Sequence, residues 1–256
     1  MNRIFPLILA IAPLTACGSI DPEPPTDEDG QPIPKPGPFD DWLRVVATTP
    51  DGGEVGVRPT IRVTFDAYLD HFELLDYAAL EIRSGGLRTQ GRVTYEMTTR
   101  SLVFTPITRL EPGLTYRLFP SPDYLVSVTG APLQIEDLPA FQITEEGSSG
   151  ADRARPDADW AAVDALLQAK CRSCHSDPGW DLNPLTRESL VSVRSEQVDQ
   201  FVVVPFSPAA SYLMHKILPD YPLRRFTVQP PPWSDAAPLE PAEILLVETW
   251  IENGAR

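Results

Sequence analysis

Cys171-Arg172-Ser173-Cys174-His175 is the stretch from which the rest of the chain is read. Cys-x-x-Cys-His is the spacing at which haem is attached covalently to a polypeptide. Two thiols so placed can add to the two haem vinyl groups, and the adjacent histidine then reaches the iron from one face. The motif therefore assigns Cys171 and Cys174 to one covalent haem c and His175 to its proximal iron position. The chain has three cysteines in all, and the third, Cys17, ends an apolar N-terminal segment, so no thiol is left over for a disulfide. A Cys-x-x-Cys pair also supplies half of many structural zinc sites, but zinc wants four ligands and a second Cys/His pair nearby. The other histidines, His71 and His215, stand isolated in the sequence. A thioredoxin-like redox pair needs a strand leading into the motif, and the preceding residues read as a helix.

That helix opens at Asp159, a residue suited to capping, and carries Trp160, Val163, Leu166 and Leu167 as one apolar stripe up to Cys171. Pro241-Ala242-Glu243-Ile244-Leu245-Leu246-Val247-Glu248-Thr249-Trp250-Ile251 reads as a second amphipathic helix. Pro241 suits its first turn and Gly254 its end. A helix before a haem motif and a helix at the end is the layout of a small cytochrome c. Leu182, Leu190-Val191, Val202-Val203-Val204-Pro205, Ser211-Tyr212-Leu213, Lys216-Ile217 and the closing Trp250-Ile251-Glu252-Asn253-Gly254-Ala255 resemble the cytochrome-c-like domains of multidomain exported bacterial proteins. The resemblance covers residues 158–256. It implies terminal helices that cross beside the haem, with Trp250 and Leu246 as interhelix contacts.

Members of that family place a Met-Pro pair before the final helix, and that methionine closes the iron. Here the corresponding stretch reads Thr227-Val228-Gln229-Pro230, so Gln229 stands at the position expected of the distal methionine. Axial ligand identity sets haem potential and access, so the substitution matters. Met214 and His215 are the other candidates for the distal place. Adjacent residues project in different directions, so at most one of them is expected to face the iron. The alternative is that Met214 packs in the core while His215 caps or meets water, leaving the iron open or weakly held.

Upstream, the hydrophobic period changes from helical to two. Thr60-Ile61-Arg62-Val63-Thr64-Phe65 alternates as a half-buried strand does, and Arg92–Tyr95 and Leu114–Leu118 repeat the device. Pro50–Gly53, Ser84–Gly86 and Glu111–Gly113 mark the turns between them. Short strands at this spacing predict an antiparallel sandwich. Thr49-Pro50-Asp51-Gly52-Gly53, Val57–Asp66, Leu110–Tyr116 and Phe141–Thr144 resemble a bacterial Ig-like domain of the surface-protein type. That resemblance implies a spacer or interaction module over about residues 43–145. His71 and Met97 are expected to serve packing. Asp66, Asp70 and Asp76 match no calcium-loop spacing and read as a solvated acidic edge.

At the N-terminus, Arg3 and the short apolar run Ile4–Ile11 have the form of an export signal. Leu14-Thr15-Ala16-Cys17 resembles the lipoprotein signal, which implies lipidation of Cys17 and a membrane anchor. Gly18–Asp40 interleaves prolines with acidic residues and offers almost nothing to bury. It reads as an extended tether of about 3 Å per residue. The net charge of −15 and a pI near 4.5 exclude a nucleic-acid binder and leave no basic patch for anionic lipid.

The expected organisation is multidomain, an all-β Ig-like sandwich followed by a mainly α cytochrome-c-like domain. Its segments are a signal peptide (1–17), a tether (18–40), the sandwich (41–145), a linker (146–157) and the haem domain (158–256). The expected function is single-electron transfer by an exported lipoprotein of the bacterial outer membrane, working with a redox partner protein in the envelope. Two alternatives stand beside it: peroxidase-like chemistry or ligand sensing at an open haem, and an envelope interaction module led by the sandwich. No nucleophile triad, phosphate loop or paired carboxylates point to a hydrolase.

Overall fold

The alternation of Ile61, Val63 and Phe65 is realised as strand β3 (Ile61–Phe65), with all three side chains fully buried. In the computed structural model the described residues are 42–70, 79–134, 137–147, 154–176, 182 and 184–256. The readings on Cys17, the signal, the tether, His71 and Asp76 lie outside them. The other strands are β1 (Val45–Thr49), β2 (Glu54–Val55), β4 (Leu80–Ser84), β5 (Leu87–Arg88), β6 (Gly91–Glu96), β7 (Ser101–Pro106), β8 (Thr115–Pro120) and β9 (Phe141–Ile143).

They form two sheets in the orders β1-β3-β7-β6 and β2-β9-β8-β4-β5. One shared core fills the space between them, with Phe65, Leu80, Ile82, Phe104, Leu118 and Phe141 among its buried members. This is the expected sandwich, and among the described residues its named strands pair antiparallel except at β2. Short β2 lies parallel to β9, Glu54 opposite Gln142 and Val55 opposite Ile143. The pairing closes the sheet edge with the last strand of the sandwich, a contact too distant in sequence for local patterning to signal. Gly85 and Gly86, both at positive φ, turn β4 into β5 as a two-residue hairpin requires. Gly91 is fixed by packing instead: a Cβ there would fall 2.0 Å from Phe104 Cζ.

The helical region comprises α1 (Trp160–Lys170), α2 (Arg172–His175), α3 (Arg187–Leu190), α4 (Tyr212–Ile217) and α5 (Pro241–Glu252). Asp159 caps α1 as expected, its carboxylate accepting from Ala162 N at 2.8 Å. Pro241 occupies the first turn of α5, and Gly254 follows its end at a φ of 89°. Trp250 of α5 is fully buried against Trp160 of α1, with ring centroids 5.5 Å apart. Leu246 sits at the margin of the same cluster.

The sandwich and the helices share packing across the predicted linker. Tyr68 and Met97 of the sandwich belong to the cluster built around Val163, Met214 and Trp250. Buried Glu248 of α5 reaches into the sandwich, where its carboxylate accepts from Met97 N, Thr98 N and Thr98 Oγ1. Arg155 bridges Glu96 of β6, at 2.7 Å, and Glu252 of α5. Tyr68 donates to Asp220, which also pairs with Arg100 at 3.0 Å. The sandwich is thus bolted to the helices through buried contacts.

Among the described residues no helix is long and apolar enough to cross a membrane.

Candidate haem cavity

The motif begins where α1 ends. Cys171 N donates to Leu167 O at 2.8 Å, and His175 N donates to Cys171 O at 3.0 Å, so the helical path continues through the turn into α2. Residues four apart on such a path share a face. Cys171 and His175 accordingly both line one cavity of about 300 Å³. Cys174 is half-buried beside them. The Cys171 thiol is pushed up to about 11, first by burial and then by neighbouring Cys174. It is therefore a protonated thiol at neutral pH rather than an activated nucleophile.

The body of the cavity is apolar, with Leu167, Leu185, Leu190, Val202, Leu213 and Ile217 in its lining. Its size falls at the lower end of small-molecule and cofactor sites. Cys171 and His175 on the lining, with the second thiol, Cys174, on the same turn but off the lining, are the groups by which a covalent haem would be held. Among the described residues there is no set of three His, Cys, Asp or Glu side chains that could hold a metal ion. The motif also follows a helix, as the sequence implied, and not the strand of a thioredoxin-like site.

The distal candidates separate clearly. Tyr212, Leu213, Lys216 and Ile217 form the face of α4 that lines the cavity. Met214 and His215 lie on the other face. Met214 is fully buried in the cluster around Trp250. His215 Nε2 is 2.9 Å from Ala209 O, and its ring stacks on Tyr221 with centroids 4.1 Å apart. The histidine is buried by this stacking, so it neither meets water nor faces the cavity. Gln229 does line the cavity, held against α4 by its own N–H donating to Lys216 O at 2.8 Å.

Two cations at the site carried no role in the sequence reading. Arg194 lines the cavity, pairs with Asp199 and lies over the ring of Phe201 at 5.0 Å. Lys216 is only 9% exposed. Its Nζ donates to Arg225 O at 3.0 Å and sits 5.8 Å from the ring centroids of Tyr212 and Phe226. Burial, together with the charge of Arg224, pushes its amine down to about 8. The signal for Lys216 was present in the helical period, since it follows Tyr212 by four residues. A lysine in an otherwise apolar stretch more often snorkels to water, which hid its role.

No protein family matches this chain by sequence, nor does any curated protein. Among solved structures it is similar to PcoC, a methionine-rich copper resistance protein from Escherichia coli, at 17% identity over 41% of this chain and 100% of that one, with a TM-score of 0.33. It is also similar to the N-terminal part of the bacterial S-layer protein SbsC, at 15% identity over 40% of this chain and 24% of that one, with a TM-score of 0.32. Mycobacterium tuberculosis L,D-transpeptidase 1 matches at 15% identity over 40% of this chain and 39% of that one, with a TM-score of 0.27. This chain thus spans about a quarter of the S-layer fragment and about two fifths of the transpeptidase. Likenesses at this level have no bearing on what the cavity does.

Proposed function

We propose that this protein is an exported, lipid-anchored c-type cytochrome that holds one covalent haem and passes single electrons to or from a redox partner in the bacterial envelope. The observation that carries the reading is the shared face of Cys171 and His175 on the lining of one largely apolar cavity, with Cys174 on the same turn but outside that lining. Cys171 and Cys174 would hold the haem by thioether bonds and His175 would bind its iron. Haem, when bound, supplies a one-electron couple. The chain's own contribution is positional. The α1–α2 turn fixes the thiols and the imidazole relative to one another, and the leucine and valine lining keeps water from most of the cavity. A low-dielectric surround of this kind tunes potential. The lipid anchor at Cys17 and a place on the outer membrane complete the reading, supported by the N-terminal residues.

A second reading takes its support from Gln229. An amide at the family's methionine position, with Met214 and His215 turned away, favours an iron with an exchangeable site and hence ligand sensing or peroxide chemistry.

The deciding experiment expresses the full chain with a haem-attachment system and records oxidised, reduced and carbon monoxide spectra. Covalent haem that survives denaturation supports the cytochrome, and Cys171→Ser with Cys174→Ser should abolish it. Protein that emerges colourless with both cysteines intact overturns the reading. Rapid carbon monoxide binding with peroxide turnover selects the second reading over the first.

A further inference from the structure

Lys216 and Arg224 stand out because, among the described residues, they meet carbonyls and, for Lys216, aromatic rings but no carboxylate. Lys216 is nine-tenths buried at an apolar cavity, and among the described residues it forms no ion pair. Its hydrogen bond goes to a backbone carbonyl, Arg225 O. Arg224 donates to the carbonyls of Leu218 and Pro219, and its Nε is buried with no hydrogen-bond partner. Among the described residues neither forms an ion pair with a carboxylate, in a chain whose net charge is −15. Burying a cation without a counter-charge is costly unless something else supplies the missing charge, and Lys216 is the buried one of the two, Arg224 being half-exposed.

We propose that Lys216 is the carboxylate-receiving end of the cavity, its ammonium donating a charge-assisted hydrogen bond to a carboxylate on an otherwise apolar ligand while Arg224 reinforces the local positive potential. This rests in part on the cytochrome reading, under which the carboxylate is one of the haem's own side-chain acids. The chemistry also suits a free carboxylate amphiphile such as a fatty acid. Leucines and valines supply the apolar part of the lining, and of the cations on it Arg194 is already paired with Asp199, which leaves Lys216 for an acid, with Glu196 the one carboxylate on the same lining. Ion-assisted hydrogen bonds of this kind are the strong ones. On this account Lys216 is a positioning residue and not an iron ligand.

The test uses the full chain produced with a haem-attachment system. Wild type, Lys216→Gln, Lys216→Arg and Arg224→Gln are compared by spectrum and by redox titration. Loss of the cation leaves a negative charge unpaired near the iron, so Lys216→Gln should lower the midpoint potential without changing spin state, and Lys216→Arg should stay near wild type. Arg224→Gln should move the potential in the same direction by less, and it serves as the readout if Lys216→Gln does not fold. An unchanged midpoint potential in both glutamine variants overturns the proposal. So does a change of spin state in Lys216→Gln and Lys216→Arg alike, which would place the amine on the iron.

If wild type carries no covalent haem, the cytochrome reading fails by itself, and the same proteins are titrated with the fluorescent fatty acid cis-parinaric acid. Binding weakened about tenfold or more in Lys216→Gln supports the carboxylate site. Equal binding, or no binding to wild type, overturns it.

Discussion

Glu248 is the residue whose removal should be felt most widely. Its carboxylate is fully buried and collects three donors from the sandwich: the N–H groups of Met97 and Thr98 and the Thr98 hydroxyl. Burial raises its pKa, the hydrogen bonds from Thr98 and Met97 oppose that, and the charge of Glu96 adds to it. Glu248→Ala strands those donors, and each unsatisfied buried donor costs about 1–3 kcal/mol. The Thr98 hydroxyl can turn away, and part of the carboxylate's own desolvation penalty is relieved. A net loss of about 2–4 kcal/mol is expected. Glu248→Gln should cost less, about 1 kcal/mol, because an amide oxygen still accepts from the two N–H groups and its NH₂ can donate to the threonine oxygen. Urea unfolding followed by tryptophan fluorescence and by far-ultraviolet circular dichroism checks both variants. Trp160 and Trp250 report on the helices, and the dichroism reports on the sandwich as well. The alanine variant should also separate the two signals as the halves lose their bolt. Equal stability of the two variants, or a glutamine variant worse than alanine, would refute the reasoning.

The neighbouring network predicts a pH dependence. Burial, opposed by Arg155 and aided by Glu248 and Glu96, pushes Glu252 up to about 7 from an ordinary 4.5. A raised carboxylate binds its proton more tightly in the folded state. Its contribution is therefore fully present below about pH 4.5 and is lost as pH rises through about 7, by at most about 3 kcal/mol. Glu96 acts in the opposite sense: burial would raise it, but Arg62 and Arg155 outweigh burial and lower it, so its contribution fades in acid. Urea unfolding of Glu252→Gln at pH 5 and pH 8 should show a smaller difference than wild type. Trp250→Ala should cost about 3–5 kcal/mol, read as a lower urea midpoint, since the indole is fully buried between α1 and α5. Gly91→Ala should cost about 1–3 kcal/mol by the same assay, because Phe104 occupies the space its methyl group needs. Gln229→Met should raise the midpoint potential of the haem protein in a redox titration, and an unchanged potential would show that position 229 does not reach the iron.

What could be read in the sequence was what a short window encodes. Ile61, Val63 and Phe65 declared a strand by period, Asp159 declared a helix start by its carboxylate, and Pro241 and Gly254 bracketed α5 by their backbone constraints. That a helix precedes the Cys171–His175 motif was also legible, from the apolar stripe of Trp160, Val163, Leu166 and Leu167. Pairing of β2 with β9 was not, since nearly ninety residues separate Glu54 from Gln142. Nor was the rotation of α4. A short mixed run such as Tyr212–Ile217 does not declare which face turns inward, so Met214 and His215 stood as alternatives until packing against Trp250 and Tyr221 placed both away from the cavity. Glu248 was hidden for a related reason. A glutamate on an amphipathic helix is ordinarily a solvated residue, and only the loop at Met97–Thr98 gives it buried partners.

The same contact bears on how this chain can be cut. Tyr68 and Met97, with Tyr95 and Val128 beside them, complete their packing only against the helices. A fragment ending near residue 145 would present that cluster to water together with the stranded N–H groups of Met97 and Thr98. The two halves are not interchangeable cassettes, and binding results from an isolated sandwich would report on a raw face that the intact protein never shows.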